Sequence, residues 1–581
     1  MKRINLLSYS ALIFILAACN LIPAENTEPV LTPTATLFPP LAYVVDIDPD
    51  AIIVPIPINP PSFNAYINDT GYEELIGELV FGALAELGPD GHYYPELAAE
   101  VPNLENGGLS PDGLTVTWHL KPGLLWSDGQ PFTAHDVTFT WQALRQSGIF
   151  APGFDLITEI ETPDDWTVIL QYSEFYPNYR LQFGGEGVGI FPAHQCGQPD
   201  RMLLWECNLN PVSIGPFVLA EWVTGERLIF NPNPNYWLPD RPLAKQLIFT
   251  IEAEEERRER ALKRGLIHLD LWTEEPYLSQ LEEEEAVIVL ETNPARFLLR
   301  LVPNLNNPAT AGTGQPHPIM ADLAVRQAIR QAINLPEVIE EVFDNRAYIA
   351  DTELARNGCQ VPPLRYNPAN AKTLLTQAGW IDQDDDGVRE CHGCKYAPEG
   401  TLLKFESLHY AEFGDRLTQA HRRIELMLFE VGIDMRPKAV EGFDLWGTWE
   451  NKGIEIRGDF NLNLWDDGYF GIDPTDYFYN RYDPRAIPTQ NDPLAGFNVM
   501  HYRNLELIDL FDQLRTPIPD STRNEQLCRL ALILSRDLPD IFLLTLPDYY
   551  VAHRRLQGIA PHIYDTVTWN AADWQLLPET E

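Results

Sequence analysis

Positive charge is scarce in this chain: of 581 residues, 41 are Lys or Arg against 84 Asp or Glu, a formal net charge of −43. A nucleic-acid binder needs a basic stripe to neutralise phosphates, and none offsets the acidic balance, so nucleic acid is excluded as a partner. After the first twenty residues there is no apolar run of the ~20 residues that a membrane span requires. Catalytic signatures are absent as well. There is no Gly-x-Ser-x-Gly elbow, no His-Glu-x-x-His and no Gly-Lys-Ser/Thr phosphate loop. The glycine-rich stretch at residues 185–189 precedes Ile190-Phe191-Pro192 rather than a helix, so no helix N-terminus meets a phosphate there. The twelve histidines are scattered. What remains is ordinary globular material, 45% hydrophobic and 11% aromatic, enough for several cores and, at roughly 150 residues per domain, three or four domains. The expectation is a protein that performs no reaction, with a secreted hydrolase as the rival class.

The start of the chain reads as an address. Lys2 and Arg3 precede a short apolar stretch, residues 12–16, and the segment ends Leu16-Ala17-Ala18-Cys19. That order fits a secretory signal over residues 1–19, and its ending resembles the bacterial lipobox, which implies lipidation of Cys19. Residues 20–46 are rich in Pro and Thr without apolar periodicity and read as an extended tether. The expectation is a lipid-anchored protein on the outer face of a bacterial cell membrane.

Export places the other six cysteines in an oxidising compartment, where an even number favours disulfides. Cys196 and Cys207, close together in a loop-like stretch, are the expected pair. Cys391-His392-Gly393-Cys394 either closes on itself or pairs with Cys359 and Cys528. A zinc set of Cys359, Cys391, His392 and Cys394 lacks the usual second C-x-x-C or spaced histidine pair. Residues 382–390 place carboxylates at Asp382, Asp384 and Asp386 with Gly387 at the sharp turn, as a calcium loop does, but Gly393 stands where a helical EF-hand carries glutamate. A partial calcium loop using Asp382, Asp384, Asp386, Glu390 and the Val388 carbonyl is one reading, and an acidic surface turn is the other. No further cofactor is expected.

Strand-like alternation at residues 52–58, 115–120, 166–172, 217–222, 227–231, 402–407 and 460–465 is interleaved with helical spacing. Helices are predicted at 72–87, at 254–264 with a solvated charged face, and at 321–333, 369–378, 416–431, 506–514 and 521–535. A helix capped by Thr133-Ala134-His135-Asp136 runs through Val137, Trp141 and Leu144. The mixture predicts an α/β class with more than one lobe.

Several blocks resemble the large extracellular solute-binding proteins of ABC importers, the family 5 group that includes oligopeptide-, dipeptide- and nickel-binding proteins. The most specific is Gly113-Leu114-Thr115-Val116-Thr117-Trp118-His119-Leu120 followed by Trp126-Ser127-Asp128-Gly129-Gln130-Pro131-Phe132-Thr133-Ala134-His135-Asp136-Val137. Gly215-Pro216-Phe217, Asn231 to Trp237, Ala261 to Gly265 with Asp270, Val325 to Asn334 and Tyr366 to Trp380 agree in order. The resemblance implies a periplasmic-binding-protein-like type II fold, two hinged lobes with an extra inserted domain. Lobe I takes residues 47–92, 212–300 and 545–581, the inserted domain 93–211, and lobe II 301–544. It implies a monomer that captures an oligopeptide between the lobes and delivers it to a membrane permease and its ATPases. An oligosaccharide, an opine, a metal chelate, or a sensing role are the alternatives. Family oligopeptide binders hold the ligand's ammonium with an aspartate in a Trp-x-x-Asp-Tyr segment. The matching stretch here makes Asp467 the first candidate and Asp466 the second, with Trp465, Tyr469 and Phe470 lining the cleft. Phe63 and Asn64 stand in a loop that commonly faces ligand in the family.

Overall fold

Alternating apolar residues at Ile52–Ile56 form a strand that pairs in parallel with Leu247–Ile251, Ile52 opposite Leu247 and Ile56 opposite Ile251. Arg227–Pro232 and Phe217–Val223 complete a four-stranded sheet, and a three-stranded sheet of Leu269–Asp270, Tyr549–His553 and Val287–Glu291 stands beside it. This is the first lobe of a computed structural model that describes residues 48–578 except 69, 186–188, 272, 274, 293–294, 311–313 and 470. The expected signal and tether, Cys19 and Phe470 lie outside the described residues.

The Thr115–His119 signature strand joins Thr167–Tyr172 and Ile157–Asp164 in a small sheet of its own. Its helix, Ala134–Ser147, carries the capping box its sequence predicts: Thr133 and Asp136 bond reciprocally to each other's backbone N–H groups. Val116, Trp118, Trp126 and Val168 share one apolar cluster with Ile52, Val54, Ile56 and Phe230, so this block grows out of the first lobe's core.

The second lobe is built on a six-stranded sheet, in the order Tyr348–Ile349, Ile541–Leu546, Phe297–Pro303, Leu462–Asp467, Lys404–Tyr410 and Asp434–Val440. Helices Leu323–Ala332, Leu335–Val342 and Asp415–Phe429 pack one cluster on it, and Thr475–Tyr482, Glu506–Leu514 and Asp520–Asp537 pack another. The chain passes between the lobes from Glu291 to Phe297 and from Leu546 to Tyr549. The two crossings are tied together: Thr292 N donates to Asp548 O at 3.0 Å and Asp548 N donates to Thr292 Oγ1 at 3.0 Å.

Two predicted helices differ. The helix expected over residues 72–87 ends at Gly77, and Ala85–Leu87 is a strand. Its backbone bonds outward instead, Leu84 N to Phe183 O at 2.8 Å and Gly82 O from Ile190 N at 3.1 Å, with glycines where the helix gives way. The charged helix Glu255–Lys263 is not solvated all round, because Arg258 turns inward to a buried pair with Asp270 at 3.1 Å.

The sulfurs of Cys196 and Cys207, of Cys391 and Cys394, and of Cys359 and Cys528 are bonded, which removes the thiolates a zinc set needs. The last pair closes a sequence separation of 169 residues and pins the turn Glu353–Asn357 to helix Asp520–Asp537. Replacing Cys359 and Cys528 together by serine is expected to lower the unfolding free energy of the second lobe by about 2–4 kcal/mol. Urea denaturation followed by circular dichroism checks this, and an unchanged midpoint contradicts it.

Candidate functional site

The strands Lys404–Tyr410, Asp434–Val440 and Leu462–Asp467 run parallel, so their C-terminal ends share one edge of the sheet. Both crossings leave from that edge, since Leu298 stands opposite Asp467 and Phe297 opposite Leu546. In α/β sheets, ligands bind at the carboxyl ends of parallel strands. Here those ends face the first lobe.

Trp465, Asp466 and Asp467 end the central strand at this edge. Alternation puts Trp465 and Asp467 on one face and Asp466 on the other. Asp467 is already engaged. Its Oδ2 accepts from Tyr477 Oη at 2.7 Å and from Arg481 Nη1 at 3.5 Å, and its carbonyl accepts from Arg300 Nη2 at 2.8 Å. Arg300 is fully buried and forks onto Glu353 at 3.1 and 3.2 Å, with Asp540 at 3.3 Å. Arg481 grips Asp540 at 2.8 and 3.2 Å. Against the raising effect of burial, Arg481 and Arg300 hold Asp540 below the usual carboxylate range.

Asp466 differs. No cation pairs with it among the described residues, and burial pushes its pKa up to about 6, with Asp467 adding to the rise and Arg300 opposing it. Trp465 is half-buried, 5.8 Å from the Trp446 ring, which itself packs 4.6 Å from Tyr410. These three rings form an aromatic wall at the strand ends.

Three residues expected to face a ligand are enclosed in this conformation. Tyr469 is enclosed, its hydroxyl donating to Asn357 Oδ1 at 2.5 Å and its ring covered by the Arg356 guanidinium at 3.2 Å. Phe63 is buried against Trp222 and Phe230, with ring centroids 5.5 and 6.0 Å away. Asn64 is buried with Nδ2 donating to Asn208 Oδ1 at 3.0 Å and Oδ1 accepting from Tyr66 N at 3.1 Å. All three serve packing and leave no surface for a ligand in this conformation. In the acidic loop, Asp382, Asp384 and Glu390 bring oxygens within 4.8 Å of one another, whereas Asp386 Oδ1 accepts from Val388 N at 2.8 Å.

The first lobe contributes a group that sequence spacing gave no means of finding. Glu78, Glu86 and Asp565 hold carboxylate oxygens within 4.8 Å of one another. Burial, then the neighbouring carboxylates, push Glu86 well above the usual range, and burial lifts Glu96 to about 7. These residues adjoin an apolar seam in which Leu87, Tyr93, Leu181, Ile563 and Tyr564 meet Ile472 of the other lobe. The first lobe's carboxylates therefore lie beside the seam where the two lobes touch.

A family model described as bacterial extracellular solute-binding proteins, family 5 Middle, matches residues 92–488. Protein XP55 of Streptomyces lividans is 25% identical over 528 residues, spanning 88% of this chain and 87% of that protein. The oligopeptide-binding protein AppA of Bacillus subtilis is 22% identical over 533 residues, 88% of this chain and 89% of that protein. Its structure in complex with a nonapeptide superposes with a TM-score of 0.62 at 19% identity, covering 91% of this chain and 99% of that one. NikA of Brucella suis in complex with Fe(III)-EDTA superposes with a TM-score of 0.72 at 19% identity, covering 91% and 100%.

The environment of Asp466 fixes the sign of a pH effect. Its folded pKa lies above the unfolded value of about 3.8, so the native state holds the proton longer and stability falls as pH rises from about 4 to about 6. Asp466→Asn is expected to raise the unfolding free energy at pH above about 7 by about 1–3 kcal/mol and to change nothing below pH ~4. Urea titrations at both ends of the window test this, and a variant less stable at the upper end contradicts it.

Proposed function

The chain belongs to family 5 of the bacterial extracellular solute-binding proteins, extracytoplasmic binding components of ABC importers that carry out no reaction of their own, and from that premise we propose that its guest is an oligopeptide. On this reading the peptide crosses the sheet edge at the strand ends of the second lobe, its ammonium meeting Asp466 on one face and its side chains lying against Tyr410, Trp446 and Trp465 on the other. The loaded protein then delivers it to a membrane permease powered by two ATPases, while a lipid on Cys19 keeps it at the outer face of the membrane.

The observation that carries this reading is the contrast between the two aspartates. Asp467 is neutralised within its own lobe, whereas Asp466 bears an unpaired, partly desolvated carboxyl group at the edge facing the other lobe. An ammonium arriving there gains a charge-assisted hydrogen bond in surroundings drier than water. The aromatic wall offers contact area without selecting one side chain, as a carrier of varied peptides requires. Among the described residues no helix is long and apolar enough to cross a membrane.

Isothermal titration with peptides bearing free or acetylated N-termini tests the site. Asp466→Asn is expected to weaken free peptides by about 1.5–3 kcal/mol, on the order of 10- to 100-fold, and to leave acetylated peptides unchanged. Equal losses for both remove the proposed anchor. Uptake of labelled peptide by cells lacking the gene is expected to fall, and unaltered uptake argues for a sensing role instead.

A further inference from the structure

Besides the tied crossings, the apolar seam at Ile472 and the fork of Arg346 onto Glu282 at 2.8 and 2.6 Å, the lobes meet at a short stretch of the inserted block, residues 174–181. Arg180 is fixed within that block. Its Nε donates to Pro102 O at 3.3 Å and to Tyr179 Oη at 3.0 Å, and the guanidinium lies 5.2 Å from the ring centres of Tyr93 and Tyr179. Its two remaining nitrogens reach across to Asp520, in the first turn of helix Asp520–Asp537, as a fork: Nη1 to Oδ2 at 3.0 Å and Nη2 to Oδ1 at 3.2 Å.

A second pair spans the same gap with the charges exchanged. Arg515, which follows helix Glu506–Leu514, lies 4.6 Å from the Tyr479 ring centre and donates from Nη2 to Glu174 Oε1 at 3.2 Å. Asn178 Nδ2 adds a bond to Asp473 O at 3.1 Å, and Arg523, paired with Asp473 at 3.2 Å, lies 5.4 Å from the Phe175 ring centre. A cavity of about 320 Å³ lined by Glu174, Phe175, Asp512 and Arg515 opens beside the second pair.

We propose that residues 174–181 are an ionic clasp: two pairs of opposite polarity that draw the lobes together before a guest arrives and set how long it is then held. The alternation of sign gives the closure one orientation. A twisted closure brings Glu174 toward Asp520 and Arg180 toward Arg515, like charge against like. Both basic members are braced, Arg180 by backbone and rings and Arg515 by Tyr479, so the acids dock onto preformed cations. The acids are the exposed members, Asp520 at 68% and Glu174 at 57%. Pairs this open to water are weak singly and screened by salt, which suits a clasp that must release its load. The inference rests on the two-lobed closure of the preceding reading but on no particular guest, so a protein that ignores peptides leaves it fully testable.

Small-angle X-ray scattering of the full chain, purified without ligand, reads the clasp directly. Asp520→Asn and Glu174→Gln alter exposed side chains and are expected to fold normally, with circular dichroism as the check. Each is expected to shift the closed-to-open ratio by about two- to five-fold toward open, and the two together further, seen as an increased radius of gyration. Raising salt from about 0.05 M to about 0.5 M is expected to open the native protein and to leave the double variant almost unmoved. A native protein whose radius matches the double variant at both salt concentrations overturns the proposal.

Discussion

Beneath the C-terminal end of strand Leu462–Asp467, Arg300 and Arg481 are held between Glu353, Asp540 and Asp467, with Tyr477 and Tyr482 supplying hydroxyls to the acids. Removing one member of such a buried set leaves an uncompensated charge, at a cost of about 3–5 kcal/mol. The strand, the turn Glu353–Asn357 and helix Thr475–Tyr482 are therefore confined to the one arrangement in which the network closes. Asp466 and Trp465, next in the chain, inherit that rigidity. The network makes this edge a firm platform and absorbs Asp467 in doing so, which leaves Asp466 as the carboxyl group of the strand end without a cation partner among the described residues.

Rigid lobes joined by two short crossings can move in few ways. Thr292 and Asp548 bind the crossings to each other, so bending there swings one lobe against the other with both cores intact. A guest shifts that balance only by the contacts it makes in the closed form and not in the open one. Between binding events the clasp at residues 174–181 works on the same balance, with ion pairs weak enough to be reversed.

Local chemistry was legible in the sequence, and long-range charge pairing was not. The capping box of Thr133 and Asp136 and the strand at Thr115–His119 follow from short-range rules that tertiary packing leaves untouched. The Trp465 to Asp467 stretch was recognisable as a strand end. Which aspartate remains unpaired was not, because Arg300 lies 167 residues from Asp467 in the chain and nothing near either residue announces the other. The enclosure of Phe63 and Asn64 was hidden for a similar reason: a loop after a first strand looks exposed until Asn208, 144 residues on, bonds to Asn64 and encloses it. The helix expected over residues 72–87 failed where Gly82 and Leu84 found backbone partners in a segment a hundred residues away.

The central claim is that a guest is held, chemically unchanged, between two lobes that swing on the tied crossings. The most direct measurement is a crystal structure of the protein purified from its own cells with no ligand added. The account predicts density for a bound molecule between the lobes, with a nitrogen within hydrogen-bond distance of Asp466 and an extended body against Trp446 and Trp465. A ligand seated on an outer face, with the Asp466 edge packed directly against the first lobe, contradicts it.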